Sequence, residues 1–589
     1  MDPENRRPAV PKLVLALRRY SWATLWADLG AGVTVGLVSL PIAMAFAIAS
    51  GLPPDAGLAC AIAAGVVTSL CGGSSVQIGG PTGAFLIVAA GLVATYGAGA
   101  LVLCTLMGGL LLVGLGFAGM GDALRFVPRP VVVGLTNGIA ILIATTQIRE
   151  FLGLTIARMP SDFAGRMAAI GGALGTTDAA TAVLAVATLL LLVLCATLRT
   201  RIPGAIVALV AGTAAAHLLG LDVATIDSRF HGLASPWPSL ALWPVRVDLI
   251  VGLLPAAFTL AIVSGLESVM AATAADRLTG DRHSPNVELV AQGAANLAST
   301  LVGGLPAAGA IARTAANVRA GGRTPIAGLA CAVTLLIVLI GAAPLASLVP
   351  MPVLAAIVAM VAWSAGDWTA IPDQFRAGPL DAIAWAVTLA LTIFADLTQA
   401  VPVALAIAAL LFIRRVSTTT DVARVVSEDV ARQPVDLVAD KDIPPFVAVF
   451  RVTGPLLFGG TDALDGIRDR LDGLPPIVIV RLRYLTAIDA AGLDAIEDLA
   501  RTVTATSRVF LVSGAREQPL ALMRRSQFVR RLGAEQMCAS FEDALARARE
   551  IHAARFSGAW PNVGAPITPP EDTRPESGDA PAVVHDRAS

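Results

Sequence analysis

Charge is scarce in this chain. Only 14% of its 589 residues are Asp, Glu, Lys or Arg, against about 25% in a soluble domain. That shortfall excludes a water-soluble protein over most of the length. The net charge of −1 says little about a membrane chain, and no nucleic-acid partner is expected. Cysteine is sparse too. Five of the six lie in apolar stretches, Cys538 lies in the charged part, and no CxxC spacing occurs. Neither a disulfide nor a metal framework is expected. His217, His231, His283, His552 and His585 fall in no nucleophile or metal-ligand spacing, so neither an enzyme nor a cofactor is expected. A GxxxxGK[ST] phosphate loop is missing, which argues against an ATP-driven pump. The first 20 residues are polar and basic, unlike a cleavable signal peptide.

What is abundant is apolar sequence: 56% of residues are hydrophobic and the mean hydropathy is +0.74. Runs of roughly 20 apolar residues recur between residues 28 and 414, each long enough to cross a bilayer core of ~30 Å. Fourteen spans are expected, at 28–50, 55–71, 80–96, 98–119, 127–148, 179–198, 203–220, 248–276, 286–303, 306–320, 324–345, 350–365, 379–396 and 398–414. The expected organisation is an N-terminal segment 1–20 and a membrane domain 21–415, with repeat one at 21–220 and repeat two at 247–415. A linker 416–442, a charged α/β domain 443–552 and a Pro-rich disordered tail 553–589 follow.

Two copies of one unit are visible. Val-Pro-x-Pro-Val occurs at 127–131 and 349–353. Asp28-Leu29 and Asp248-Leu249 each open a long apolar run at nearly the same offset, and GGPTGAFLIVAAG at 79–91 pairs with GGLPAAGAIARTAANVRAGG at 303–322. Seven spans per copy is an odd number, so the second copy enters the membrane inverted, as in many secondary transporters. Arginines support a cytoplasmic N-terminus. Arg6, Arg7, Arg18, Arg19, Arg125, Arg129, Arg199, Arg201, Arg277, Arg282, Arg319, Arg323, Arg414 and Arg415 then all lie inside. Both termini and the α/β domain are expected in the cytoplasm.

Spans three and ten begin with Gly79, Gly80, Pro81 and with Gly303, Gly304, Pro306, Gly309. Such breaks must sit inside the protein or line a cavity, because lipid satisfies no backbone group. Pro81 and Pro306 suit the first turn of a half-helix. Two half-helix N-termini meeting at the midplane, each with free N–H groups and partial positive charge, would favour an anion. A blander reading is tight helix packing. Three ionisable residues lie deep in apolar sequence: Glu267, Arg313 and Asp396. Such residues are functional candidates by default. Arg313 can add charge to the site or tie the half-helix to its neighbours. Glu267 can carry a proton, coordinate a cation, or pair with Arg313. Asp396 is expected at an outer surface.

These residues resemble the sulfate permease (SulP) family of anion transporters. The most specific stretch runs from GLESVMAATAAD at 265 through NVELVAQGAAN and GGLPAAGAIARTA to 328, and LPIAMAFAIASGLPPDAG at 40–57 and Gly-Pro-Thr-Gly at 80–83 also fit. The resemblance implies a nucleobase-permease-like inverted repeat of seven plus seven spans. It also implies a core of spans 1–4 and 8–11 moving against a gate in an elevator-like way, and a homodimer. It puts Arg313 beside the anion and Glu267 at the coupling position. Position 271 is Ala where sodium-dependent relatives have a hydroxyl, which favours proton over sodium coupling. Side-chain hydroxyls are few, with Ile42 after Pro41 and alanines at 307 and 308. Pro81 and the backbone N–H groups of Thr82, Gly83, Ala84, Ala308, Gly309 and Ala310 are therefore expected to hold the anion, with Arg313.

Residues 443–552 alternate strands and helices, and Asp489 stands where a helix needs a cap. Ile488-Asp489-Ala490-Ala491-Gly492 resembles the helix-start motif of STAS domains. Phosphorylated relatives have Ser or Thr after that Asp, so the switch is absent here. A stabilising role and a docking role for cytoplasmic partners stay open. The expected function is secondary active transport of a small anion (sulfate, bicarbonate or a dicarboxylate such as fumarate), as proton symport across the inner (plasma) membrane. The other readings are sodium-coupled bicarbonate uptake, a nucleobase permease, a channel, or a membrane-tethered sensor acting through the STAS domain.

Overall fold

A computed structural model describes residues 10–555, apart from 19, 158, 161, 199–202, 231–246, 342, 396, 418–420, 426–442, 458–463 and 469–470. Asp396 and nearly all of the tail expected at 553–589 lie outside the described residues. The chain divides into two units, Met1–Phe412 and Ile413–Ser589.

The first unit is helical. Repeat one supplies α1 (Trp22–Ala49), α2 (Pro54–Cys71), α3 (Leu86–Tyr96), α4 (Ala98–Phe117), α5 (Arg129–Leu152), α6 (Ala179–Thr197) and α7 (Gly204–Leu218). Repeat two supplies α8 (Ile250–Thr279), α9 (Pro285–Thr300), α10 (Ile311–Arg319), α11 (Pro325–Gly341), α12 (Met351–Ala365), α13 (Pro379–Phe394) and α14 (Leu397–Ser417). Among the described residues of the unit, seven helices have the length and composition to cross a membrane, and shorter apolar helices accompany them. The chain is a polytopic helical membrane protein with the seven-plus-seven repeat.

The third helix of each repeat is short for a physical reason. At a rise of about 1.5 Å per residue, the 11 residues of α3 and the 9 of α10 reach only about half of a ~30 Å hydrocarbon core. The remaining depth is filled by extended backbone. Strand β1 (Gly79–Pro81) pairs antiparallel with β2 (Ala307–Gly309), setting Gly79 opposite Gly309, Gly80 opposite Ala308 and Pro81 opposite Ala307. Antiparallel pairing of equivalent segments is what an inverted repeat produces.

The two prolines depart from the sequence expectation. Pro81 ends β1 and Pro306 precedes β2, so neither opens a helix. The backbone stays extended to build the ladder. Thr82 and Ala310, both extended, become the N-caps of the following helices.

Helices α1, α2, α4, α8, α9 and α11 pack among themselves, whereas α5 packs with α12 and α13, and α12 with α6. The ladder lies in the first group, against α2, α8 and α9.

In the second unit β3 (Asp421–Val425), β4 (Val447–Leu456), β5 (Ile477–Ile488), β6 (Val509–Ser513) and β7 (Met537–Cys538) form one sheet in that order. The first pair is antiparallel and the others are parallel. Strand residues alternate between two apolar layers. Val478, Val480, Phe510 and Val512 face Ile496, Leu499 and Met523, which lie on α15 (Ala490–Ala505) and α16 (Glu517–Arg525). Ile477, Ile479, Val509 and Leu511 face Phe541 and Leu545 on α17 (Phe541–Arg555). Helices on both faces are what a mostly parallel sheet requires. Asp489 caps α15, its carboxylate accepting from Gly492 N at 2.8 Å. Strand β3 falls inside the stretch expected as a linker (416–442). A short alternating segment beside a charged, Pro-containing run gives little strand signal until its pairing partner is known.

Candidate functional site

The site forms where the ladder releases its two short helices. Thr82 precedes the 3-10 turn Gly83–Phe85 that leads into α3, and its side chain does not cap that turn. Instead Thr82 Oγ1 donates to Glu267 Oε2 at 2.7 Å. The N–H groups at the start of such a turn have no intrahelical acceptor. The start of α10 likewise has no side-chain cap. Both helices therefore present uncapped, partly positive ends beside one carboxylate.

Arg313, on α10, is 4% exposed. Its Nη2 donates to Pro81 O at 2.8 Å, and an added Cβ at Gly80 would lie 2.8 Å from Nη1. Gly80 also has φ +144°, so the backbone there needs glycine twice over. Arg313 thus joins the second repeat's half-helix to the first repeat's strand. No ion pair connects Arg313 with Glu267 among the described residues. The pairing considered for Glu267 from sequence is replaced by its bond to Thr82.

All nine residues expected at the site come together in this region, but not all keep a free donor. Gly309 N donates to Ser268 Oγ at 3.0 Å and Ala310 N to Ile78 O at 3.0 Å. Those two N–H groups hold the ladder in place, which corrects the expectation that they face an anion. Asn296 grips Ala307 from both sides, accepting from its N and donating to its O at 2.9 Å each. Ser264 Oγ donates to the same carbonyl at 2.8 Å.

Several of these residues escaped sequence reading. Ser264, Ser268 and Asn296 carry no charge and are ordinary in helices. Glu288 carries one and is 0% exposed. Its Oε2 accepts from Gly73 N at 2.9 Å and Ser74 N at 3.2 Å, while Oε1 has no partner among the described residues. One turn on, Gln292 is also 0% exposed with its amide unpartnered. Polar residues at 288, 292, 296 and 299 share one face of α9. That i, i+4 spacing was the available signal.

Among the described residues no group of His, Cys, Asp and Glu is arranged to hold a metal ion.

The sequence pattern of the sulfate permease family matches residues 25–388, and that of the STAS domain matches residues 438–544. The Bacillus subtilis (strain 168) protein YvdB, which bears a sulfate-transporter name, is 36% identical over 508 residues, covering 86% of this chain and 94% of that one. Among solved structures, the transmembrane domain of a cyanobacterial bicarbonate transporter, BicA, is 30% identical with a TM-score of 0.58, covering 66% of this chain and 99% of that one. The overall structure of SLC26A9 shares the fold with a TM-score of 0.78, at 17% identity, over 93% of this chain and 94% of that one. The chain belongs to the sulfate permease family of membrane anion transporters and carries a STAS domain.

Proposed function

We propose that this protein is a secondary active transporter that moves a small anion together with a proton. The single observation carrying this reading is the Thr82–Glu267 hydrogen bond at 2.7 Å, at the mouth of an uncapped half-helix. It places a protonatable group within one side chain of the backbone donors that would hold the anion. Thr82, Gly83 and Ala84 supply those donors, with Ala308 and Pro81 shaping the wall. Arg313 adds fixed positive charge through the buried strand. Ala271, one turn beyond Glu267 and 0% exposed, offers no oxygen to a sodium ion, which favours the proton.

The anion is sulfate, bicarbonate or a dicarboxylate such as fumarate; the names of YvdB and BicA support the first two. Helices α1–α4 and α8–α11 would move together against the rest. The closer packing within each set supports that division, with α1 also touching α7 and α12 across it. The protein would lie in the plasma membrane as a homodimer with both termini inside, as its arginine distribution favours.

Purified protein in liposomes, given labelled sulfate, bicarbonate and fumarate with and without a pH gradient, tests the proposal. Uptake of at least one anion, accelerated by inward proton flow, is expected. A sodium gradient serves as the control. No uptake of any of the three would refute it.

A further inference from the structure

The STAS domain holds a second cluster of positive charge, far in sequence from the membrane site. A cavity of roughly 340 Å³ opens beyond the carboxyl end of β6, beside the middle of β5, lined by Arg481, Arg483, Ser513, Arg516 and the start of α17. The strand register sets Arg481 beside Ser513. Beyond Ser513 the chain turns at Gly514, with φ +68°, and enters α16. In sheets with parallel strands, the crevice outside the carboxyl ends is where ligands bind.

Three features make this a built site. Arg481 is only 5% exposed, and its guanidinium lies 5.4 Å from the ring centres of both Tyr484 and Phe541. The rings fix a buried cation at the cavity's edge. Ser513 is 0% exposed, and its hydroxyl has no hydrogen-bond partner among the described residues. A buried hydroxyl left unbonded is costly, and a ligand oxygen would recover that cost. Arg516 is the N-cap of α16, whose first turn has no side-chain cap. The α17 end differs, because Ser540 and Asp543 cap it reciprocally at 3.1 Å. Against three arginines the cavity lining carries one carboxylate, Glu542.

We propose that this cavity binds a tetrahedral oxyanion group, with Arg481, Arg483 and Arg516 supplying charge and Ser513 a hydrogen bond. Arginine's fork suits such a group. The volume exceeds a bare ion and leaves room for a small organic body. Two sources fit that chemistry: a free inorganic oxyanion, or a phosphate monoester of a metabolite.

The test uses the full-length protein in detergent. Equilibrium dialysis is run with labelled sulfate, inorganic phosphate and AMP, each against wild type, Arg483→Gln, Arg516→Gln and Ser513→Ala. Arg483 and Arg516 are exposed, so their replacement leaves the fold intact. The expected result is that at least one probe binds saturably and loses tenfold or more in affinity in both arginine variants. Preference for AMP identifies the ester source, and equal or better binding of an inorganic ion identifies the free one. As a site-specific readout, the bound probe should slow phenylglyoxal modification of Arg483 and Arg516, read by mass spectrometry. Binding equal in wild type and both arginine variants would overturn the proposal. So would absence of protection at these arginines, or no saturable binding of any probe.

Discussion

Replacing Glu267 by Gln should remove the pH dependence of anion binding without removing binding itself. Gln keeps an oxygen that can accept from Thr82 Oγ1, which now donates to Glu267 at 2.7 Å, so the local geometry survives and only the charge changes. A charge count sets the size of the effect. The two half-helix ends contribute about +0.5 each, Arg313 contributes +1, and an ionised Glu267 subtracts one. The site is then about +1 with Glu267 ionised and about +2 with it protonated. A dianion such as sulfate matches the second state. At a separation of about 6 Å and an effective dielectric of about 20, one unit charge on Glu267 opposes one unit on the anion by about 3 kcal/mol. That is about a hundredfold in affinity, and more for a dianion. In wild type, sulfate affinity should therefore rise steeply as pH falls and Glu267 takes up its proton. The Gln variant should bind sulfate at every pH about as well as the protonated wild type. Scintillation-proximity binding and liposome uptake between about pH 5 and 8 would read both. If the Gln variant kept the wild-type slope, Glu267 would have no part in coupling and the charge count would be wrong.

Arg313→Ala should weaken apparent anion affinity at least tenfold and leave the Pro81 carbonyl unbonded; affinity equal to wild type would assign Arg313 to structure alone. Gly309→Ala should impair uptake severalfold, because the new Cβ would displace the buried Gln77 amide and lie 3.1 Å from Ser268 Cα beside a fully buried ladder. Normal uptake would mean that the ladder yields easily, and proteoliposome flux settles it. Asp281 anchors the N-terminal segment by accepting from Lys12 Nζ at 2.8 Å and Ser75 Oγ at 2.5 Å. Burial pushes its carboxyl up, but the bonds from Lys12, Ser75 and Arg282 N, with the Lys12 charge, outweigh burial and hold it below the usual carboxylate range. A depressed carboxyl contributes stability that is present above its unfolded value and lost as pH falls through the folded one. Proteolytic cleavage near Lys12 should thus accelerate only in strong acid, and Asp281→Asn should cleave quickly at neutral pH. Equal cleavage of the two at neutral pH would contradict the anchor.

The spans were legible because a bilayer imposes one length and one composition on each. Expected and observed boundaries of α2, α4, α6 and α12 differ by at most two residues. The repeat was legible because Val-Pro-x-Pro-Val survived in both copies. Ladder partners were not legible. Antiparallel contact of Gly80 with Ala308 is long-range, and three residues of Gly, Ala and Pro carry no strand periodicity. Glu288 was missed for a related reason. Its environment is made by backbone N–H groups of Gly73 and Ser74, more than two hundred residues earlier. Composition near Glu288 gives no sign of them.

The asymmetry between the copies follows from where each spends its hydrogen bonds. In the second copy Asn296, Ser268 and Ile78 O take up the N–H groups of Ala307, Gly309 and Ala310. Thr314 and Asn317 of α10 reach back to Ile78 N and Val76 O, at 3.1 and 2.9 Å. This half is tied down, with its backbone polarity turned inward. In the first copy Thr82 is turned outward to Glu267, and no side chain caps the turn it opens. An anion would therefore take its backbone donors chiefly from the first copy, while the fixed charge and the titrating group come from the second. Arg313 bonds Pro81 O directly, so in the proposed carrier this bond would hold the donor end of α3 to α10 and keep the two halves of the site together while access changes sides.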